Sequence, residues 1–257
     1  VLYDKNWVQK NIENQLLKNF KIHFSLSSDI SYRILPSPHY LIKDSKILNG
    51  VNKTASLGVI KNLKVFVSQK NFFNKQKTLL KYIKINKADF IIKTNDLKLL
   101  RNGTKNKFSS KKIKINKSNI FFKNDLDEMV SIIKISEAFL FLDDKNLLNL
   151  FNLKGEVFNV PFKFDHNRKF DSSKIEETSI VTQKLKLNIF NTSSLDARND
   201  RKGKSTISFL NSKINTNYKF KNGMVIFNST NSRIKNSKVN YTGVMSINPF
   251  DLNFNID

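Results

Sequence analysis

The chain has 257 residues, 22 Phe, no Cys and a net charge of +24. Without cysteine, neither a disulfide-stapled fold nor a zinc ribbon can form, and the abundance of apolar residues argues against full disorder. No apolar run approaches the roughly 20 residues that a membrane-spanning helix needs.

The first predicted element is a helix within residues 1–21, with Asp4 as its N-cap. Val8, Ile12, Leu16 and Phe20 recur every four residues and form one apolar stripe. A helix with a single stripe packs against a sheet. A narrower interpretation, compatible with the first, is that this helix plugs one end of an open sheet.

From residue 22 onward the apolar period changes from four to two, which predicts strands across 22–142. Within them, Ile83–Lys93 matches Ile113–Lys123 at an offset of 30 residues, and Ile133–Leu142 is a weaker third copy. Short Lys/Ile/Asn strings can match by chance in this composition. As a true repeat, each copy is a strand, a polar break and a second strand, and the copies stack to bury one continuous face.

The last segment, residues 143–257, is predicted to begin with a short helix over Asp143–Phe151 and to continue mostly as strands. The polar stretches Asp165–Glu177 and Thr192–Lys204 are predicted to be loops. Asn222-Gly223 lies between two alternating runs and predicts a hairpin turn.

The predicted fold class is mainly β with an N-terminal helix and one or two short further helices (α+β). We expect one elongated module over residues 1–257, built on a long, curled antiparallel sheet. Its apolar face could be closed by a second sheet, or left as an open, taco-like half-barrel groove filled by a ligand. Because the chain starts at Val1 and ends inside an alternating pattern, we expect it to be a fragment of a longer protein.

Sequence motifs for chemistry are missing. His23, His39 and His166 do not stand at metal-ligand spacing, and the acids between residues 125 and 128 do not fit a calcium loop. There is no glycine-rich phosphate loop and no nucleophile elbow. We therefore predict that the chain is not an enzyme and uses no metal or cofactor.

The order of elements resembles the N-terminal region of the AsmA-like proteins, the AsmA/TamB superfamily of Gram-negative bacteria. The resemblance runs from Asp4 to Leu100 and continues in two later strand motifs, where Gly opens a strand or Pro-Phe closes one. The segments that carry it are Trp7–Phe20, Ile22–Leu26, Ile30–Leu35, Tyr40–Leu48, Leu57–Val65, Phe72–Leu80, Ile83–Ile92, Leu153–Val157 and Tyr241–Phe250.

This resemblance implies a bridge-like lipid-transfer protein of the periplasm. A helix outside the visible chain would anchor it in the bacterial inner membrane. It would carry phospholipid in an apolar β-groove, support outer-membrane assembly and lipid homeostasis, and have outer-membrane assembly proteins as possible partners.

Physical chemistry agrees with a groove, because two acyl chains left in water would cost on the order of 20 kcal/mol. Apolar side chains would line the groove while lysines near its rim attract anionic head groups. The candidate lining residues are Ile83, Ile85, Phe90, Ile92, Ile113, Ile115, Phe139, Phe141, Phe158, Val160 and Phe162.

Two alternatives stay open. The first is a structural β-rich scaffold or adhesin segment with a closed core and no ligand. The second, drawn from the net charge, is nucleic-acid binding. The cations are 39 Lys and six Arg, spread along the whole chain, whereas base recognition favours Arg. Together with 35 Asn, this composition is typical of an AT-rich genome, so we expect no specific nucleic-acid partner.

Overall fold

The structure is a computed structural model. It describes residues 4–48, 56–68, 79–94, 106–171, 174–195, 200–247 and 250–256. Most of Phe72–Leu80, one segment of the family resemblance, lies outside these ranges.

The described residues form one N-terminal helix and eighteen strands of a single open, mixed sheet, which confirms the predicted mainly β class. The elements are α1 (Lys5–Phe20), β1 (His23–Ser25), β2 (Ile30–Arg33), β3 (His39–Leu48), β4 (Ser56–Val67), β5 (Leu80–Lys93), β6 (Lys112–Lys123), β7 (Met129–Asp143), β8 (Leu148–Val157), β9 (Val160–Lys169), β10 (Glu176–Thr182), β11 (Leu187–Leu195), β12 (Arg201–Phe209), β13 (Ser212–Lys221), β14 (Met224–Ser229), β15 (Ser232–Ile234), β16 (Ser237–Val239), β17 (Tyr241–Ile247) and β18 (Phe250–Ile256).

The chain divides into two compact units. Unit 1 comprises Val1–Leu142 and Leu153–Asn159, and unit 2 comprises Asp143–Asn152 and Val160–Asp257.

Helix α1 has defined ends. The Asp4 carboxylate accepts the backbone N–H groups of Asn6 and Trp7 at 2.9 and 3.2 Å, as an N-cap should. Lys21 adopts a left-handed φ of 58°, and its N–H donates to Leu17, which closes the last turn. The residues buried on this helix are the predicted stripe, Val8, Ile12, Leu16 and Phe20.

In unit 1, β1 and β2 both pair with β3, and β3, β4 and β5 follow as antiparallel neighbours. Strands β5 and β6 are parallel, so the sheet is mixed and not antiparallel throughout as the sequence predicted, and β7 returns antiparallel to β6. Helix α1 packs on one side of this sheet. We call that side the covered face, defined by the fully buried Ile42, Ile60, Leu63 and Ile83 that cluster with the helix stripe.

The predicted repeat is present as the parallel pair β5 and β6, which align each residue with the residue 30 positions later, for example Ile83 with Ile113. The prediction that a polar break divides each copy into two strands is wrong. Each break is a single left-handed residue, Lys87 or Lys117, inside one continuous strand. The third copy lies in β7, which runs in the opposite direction, so it does not extend the parallel stack.

Unit 2 is an antiparallel meander that runs from β9 through β10, β11, β12 and β13 to β14, β17 and β18. The short hairpin of β15 and β16 lies beside β13. The predicted turn between β13 and β14 is confirmed, because Asn222 and Gly223 both have positive φ and Lys221 pairs with Met224.

The helix predicted over Asp143–Phe151 is wrong. The Asp143 carboxylate accepts the N–H of Lys145 at 3.1 Å and the Asn146 side chain at 2.8 Å. This local turn competes with helix formation, and the left-handed Leu147 then directs the chain into β8. Within the described ranges α1 is the sole helix.

Candidate functional site

Six of the predicted groove residues share the covered face of unit 1. Ile83 and Ile85 are 0% and 2% exposed beneath α1, so they form a closed core. The other four are partly buried, and three of them pack against that core. The six residues are Ile83, Ile85, Phe90 and Ile92 in β5, and Ile113 and Ile115 in β6.

Phe139 and Phe141 lie on the opposite face of unit 1. The register pairs Ile113 with Leu140 and Lys114 with Phe139, which puts Phe139 on the side away from Ile113. The Lys112 ammonium lies 5.4 Å from the Phe139 ring centre and 4.4 Å from that of Phe141. The structure therefore does not bring these two phenylalanines together with the isoleucines of β5 and β6.

The last three candidates lie around the start of β9. Phe158 is in the turn before this strand, has a left-handed φ of 48° and is 76% exposed. Val160 and Phe162 are partly buried residues of β9, on the strand side that also carries Phe164.

That side of unit 2 is ordered in rows that cross the strands, and we call it the graded face. Its apolar row consists of cross-strand partners from β9 to β13, none of which is fully buried; Ile207, at 37%, is the most exposed. No helix is present in the described part of unit 2. The members of the apolar row are Phe164, Ile180, Ile189, Ile207 and Ile214.

Two residues further along the same strands, the side chains become hydroxyl, amide and imidazole groups. The His166 Nδ1 atom lies 2.9 Å from the Thr178 hydroxyl oxygen, and the Tyr218 hydroxyl donates to Asn191 at 2.9 Å. This polar row consists of His166, Thr178, Asn191, Ser205 and Thr216.

A charged row follows after two further residues, again across β9 to β13. It contains Arg168, Glu176, Ser193, Gly203 and Tyr218. At about 3.3 Å per residue, the charged row lies about 13 Å from the apolar row along the strands. The graded face thus passes from ionic through polar to apolar within a single sheet.

Two arginines meet one carboxylate in the charged row. The Arg168 guanidinium lies 2.7 Å from Glu176 Oε1. Arg201 forms a two-point contact with both Glu176 oxygens and also donates to the Ser193 hydroxyl at 2.8 Å. We call Arg168, Glu176 and Arg201 the arginine cluster.

Glycine has a packing role beside this cluster. The Tyr218 ring lies across Gly203 on the neighbouring strand, where an added Cβ would come within 2.5 Å of the ring and 2.4 Å of the phenol oxygen. The absence of a side chain at Gly203 is what lets Tyr218 reach Asn191 two strands away.

His166 is the titratable group between the cluster and the apolar row. Burial lowers the pKa of His166 below the ordinary 6.5, Glu176 opposes that shift, and Arg168 and Arg201 reinforce it. Its Nε2 atom is buried and finds no hydrogen-bond partner among the described residues.

In the described ranges, no group of three His, Asp or Glu side chains is placed to hold a metal ion. Helix α1, the one helix described, is too short and too polar to cross a membrane. Comparison with known proteins found no matching family model and no significantly similar curated protein.

Sequence reasoning missed the arginine cluster, because it assigned Asp165–Glu177 and Thr192–Lys204 to loops. In the structure, β9 continues to Lys169, β10 begins at Glu176, β11 reaches Leu195 and β12 begins at Arg201. A signal was available, since the alternation of Phe162 and Phe164 continues through His166 to Arg168. Polar side chains had replaced apolar ones without ending the strand.

Proposed function

We propose that this chain is a lipid-carrying module that holds acyl chains on the graded face of unit 2. The resemblance to AsmA-like proteins extends the proposal to a periplasmic protein, anchored to the bacterial inner membrane, that carries phospholipid in support of outer-membrane assembly. The acyl-chain part rests on geometry, whereas location and membrane partners rest on the resemblance.

The observation that supports acyl-chain binding is an apolar row that is not fully buried, in a unit whose described part holds no helix to cover it. Phe164, Ile180, Ile189 and Ile214 are half-buried and Ile207 is exposed, although all five adjoin one another across five strands. Contiguous apolar surface that stays partly exposed on a folded protein indicates a site of interaction.

Acyl chains fit the energetics of such a surface. Each CH₂ group removed from water contributes about 0.8 kcal/mol, and an alkyl chain needs no directional hydrogen bonds. A row of branched and aromatic side chains therefore suffices to bind it.

A closed, ligand-free scaffold is the second candidate, and unit 1 supports it for its own region. The covered face there is already filled by α1, with Leu16, Ile42 and Leu63 fully buried. On this basis the groove prediction is strongest for unit 2, and Ile83 and Ile85 serve the unit 1 core.

The experiment compares two neighbouring residues of β12 that face opposite ways. Ile207→Asp puts a carboxylate into the apolar row, whereas Ser208→Asp puts the same charge on the other side of the strand. We expect Ile207→Asp to weaken binding of a fluorescent fatty-acyl probe at least about tenfold, which is about 1.4 kcal/mol. Ser208→Asp should bind like the parent chain.

Thermal unfolding followed by circular dichroism checks that both variants fold. If the parent chain binds no acyl probe, or if the two folded variants bind it equally, the graded face is not the acyl site.

A further inference from the structure

The arginine cluster holds more positive than negative charge in a partly buried place. The side chains of Arg168, Glu176 and Arg201 are only 14%, 18% and 24% exposed. No other carboxylate in the described part of the chain forms an ion pair with either arginine. Among the described residues, one carboxylate therefore pairs with two guanidinium groups.

Such an excess is costly, because a partly desolvated charge needs a partner or hydrogen bonds to offset the loss of water. Packing explains part of the burial, since the Arg168 guanidinium lies 5.4 Å from the Phe170 ring centre. Packing does not neutralise the remaining charge, whereas a bound anion would.

The contacts among the described residues leave guanidinium donors over for that anion. Each guanidinium carries five N–H groups in a planar fork, and the contacts to Glu176 and Ser193 occupy only some of them. Forked arginine donors match the oxygen spacing of phosphate and bind it in pairs of parallel hydrogen bonds.

The rows beside the cluster define the rest of the ligand. The polar row contributes His166, Thr178 and Ser205, and the buried Nε2 atom of His166 has no hydrogen-bond partner among the described residues. Beyond it, about 13 Å from the charged row, lies the apolar row. A ligand along the strands would meet cations first, then hydrogen-bonding groups, then hydrocarbon.

We infer that the graded face is a site for an anionic amphiphile, with Arg168 and Arg201 holding the phosphate of its head group. The polar row meets the ester and glycerol oxygens, and the apolar row meets the acyl chain. This inference rests on the proposed function, which assigns the apolar row to acyl chains, and it adds that the preferred lipid carries a net negative charge.

The test uses three probes on the full chain by titration calorimetry, with the lipids below their critical micelle concentrations. Lysophosphatidylglycerol has the anionic head group and one acyl chain, a monoacylglycerol has the same chain without phosphate, and inorganic phosphate has the anion alone. We expect lysophosphatidylglycerol to bind about tenfold more tightly than the monoacylglycerol, as one charge-assisted contact would give. Inorganic phosphate should bind far more weakly than either.

The variants are Arg201→Gln and, as a matched control, Lys204→Gln. Both remove one positive charge from β12, but Lys204 is exposed and lies on the opposite side of the strand. Arg201→Gln should abolish the preference for lysophosphatidylglycerol, and Lys204→Gln should keep it. Arg168→Gln is the second variant if Arg201→Gln does not fold, since Arg201 still pairs with Glu176 in it.

Each other outcome overturns a separate part of the inference. If both lipids bind equally in every variant, the arginine cluster is structural and only the acyl site stands. If the two Gln variants lose the preference equally, general attraction to a basic protein explains it. If inorganic phosphate binds as tightly as lysophosphatidylglycerol, the cluster is a site for a free anion. If no amphiphile binds, the proposed function itself is wrong.

Discussion

The covered face of unit 1 and the graded face of unit 2 are both built from strands that alternate apolar and polar residues, but their apolar side chains differ in burial. In unit 1, Ile83 is 0% exposed beneath α1. In unit 2, Ile207 is 37% exposed, with no helix described in that unit. An alternating pattern therefore establishes that one strand face is apolar, and a separate element decides whether that face becomes core or surface.

Polar contacts as well as apolar packing determine where helix α1 lies on the sheet of unit 1. The Gln9 side chain donates to the Leu26 carbonyl at 2.7 Å, and Glu13 accepts the Leu26 N–H at 2.8 Å. These contacts fix the helix at one position on the sheet.

The largest expected effect on stability separates the two faces directly. Leu16→Ala should destabilise the protein by about 2–5 kcal/mol, because it leaves a cavity between α1 and the sheet. Ile207→Ala should cost less than about 1 kcal/mol, since its side chain is already partly in water. Urea denaturation monitored by circular dichroism measures both values, and equal losses would contradict the contrast between the faces.

A smaller effect on stability tests the hydrogen bond that links β5 to β6 beside their left-handed residues. The Ser118 hydroxyl accepts the buried N–H of Ala88 at 3.0 Å, so Ser118→Ala should cost about 1–3 kcal/mol by leaving that donor unpaired. Ser136 is the control, because its hydroxyl also bonds to the backbone of another strand but donates to the Lys154 carbonyl at 2.9 Å in an exposed place, where its removal leaves no buried donor unpaired. A Ser118→Ala variant no less stable than Ser136→Ala would show that this bond does not hold the two strands together.

The smallest expected effect is a pH dependence of the free energy of unfolding, caused by His166 in unit 2. Because burial lowers the pKa of His166, the unfolded chain takes up a proton before the folded chain does. The neutral imidazole therefore makes its full contribution to the free energy of unfolding above pH 6.5, and this contribution declines as the pH falls toward the folded-state pKa. At pH 5.5 the loss cannot exceed about 1.4 kcal/mol.

His166→Asn tests this, since Asn keeps a polar atom near the Nδ1 position that contacts Thr178. The free energy of unfolding should fall more between pH 7.5 and 5.5 in the parent than in the variant. Parallel pH profiles would contradict a buried, neutral His166.

Several elements could be predicted because their signals are local. The stripe Val8, Ile12, Leu16 and Phe20 determines both the existence of α1 and its buried side. The Asn222-Gly223 turn follows from the backbone freedom that a tight hairpin requires. The offset of 30 residues between two similar segments equals the register in which β5 and β6 pair.

The grouping of the groove candidates could not be predicted, because it depends on register between distant strands. Lys87 and Lys117 are left-handed and shift the alternation, so Ile85 and Phe90 share a face although five positions separate them. Phe139 falls on the opposite face for the same kind of reason, since only its pairing with Lys114 determines its side. The arginine cluster likewise required the pairing of β9 with β10.

The most direct test of acyl-chain binding on the graded face is native mass spectrometry of the chain purified from a bacterial periplasm, alongside Ile207→Asp. We predict about one phospholipid per parent chain, enriched in anionic head groups, and a clear loss of bound lipid from the folded variant. A lipid-free parent chain that unfolds cooperatively would contradict the account and identify the graded face as part of a ligand-free β scaffold.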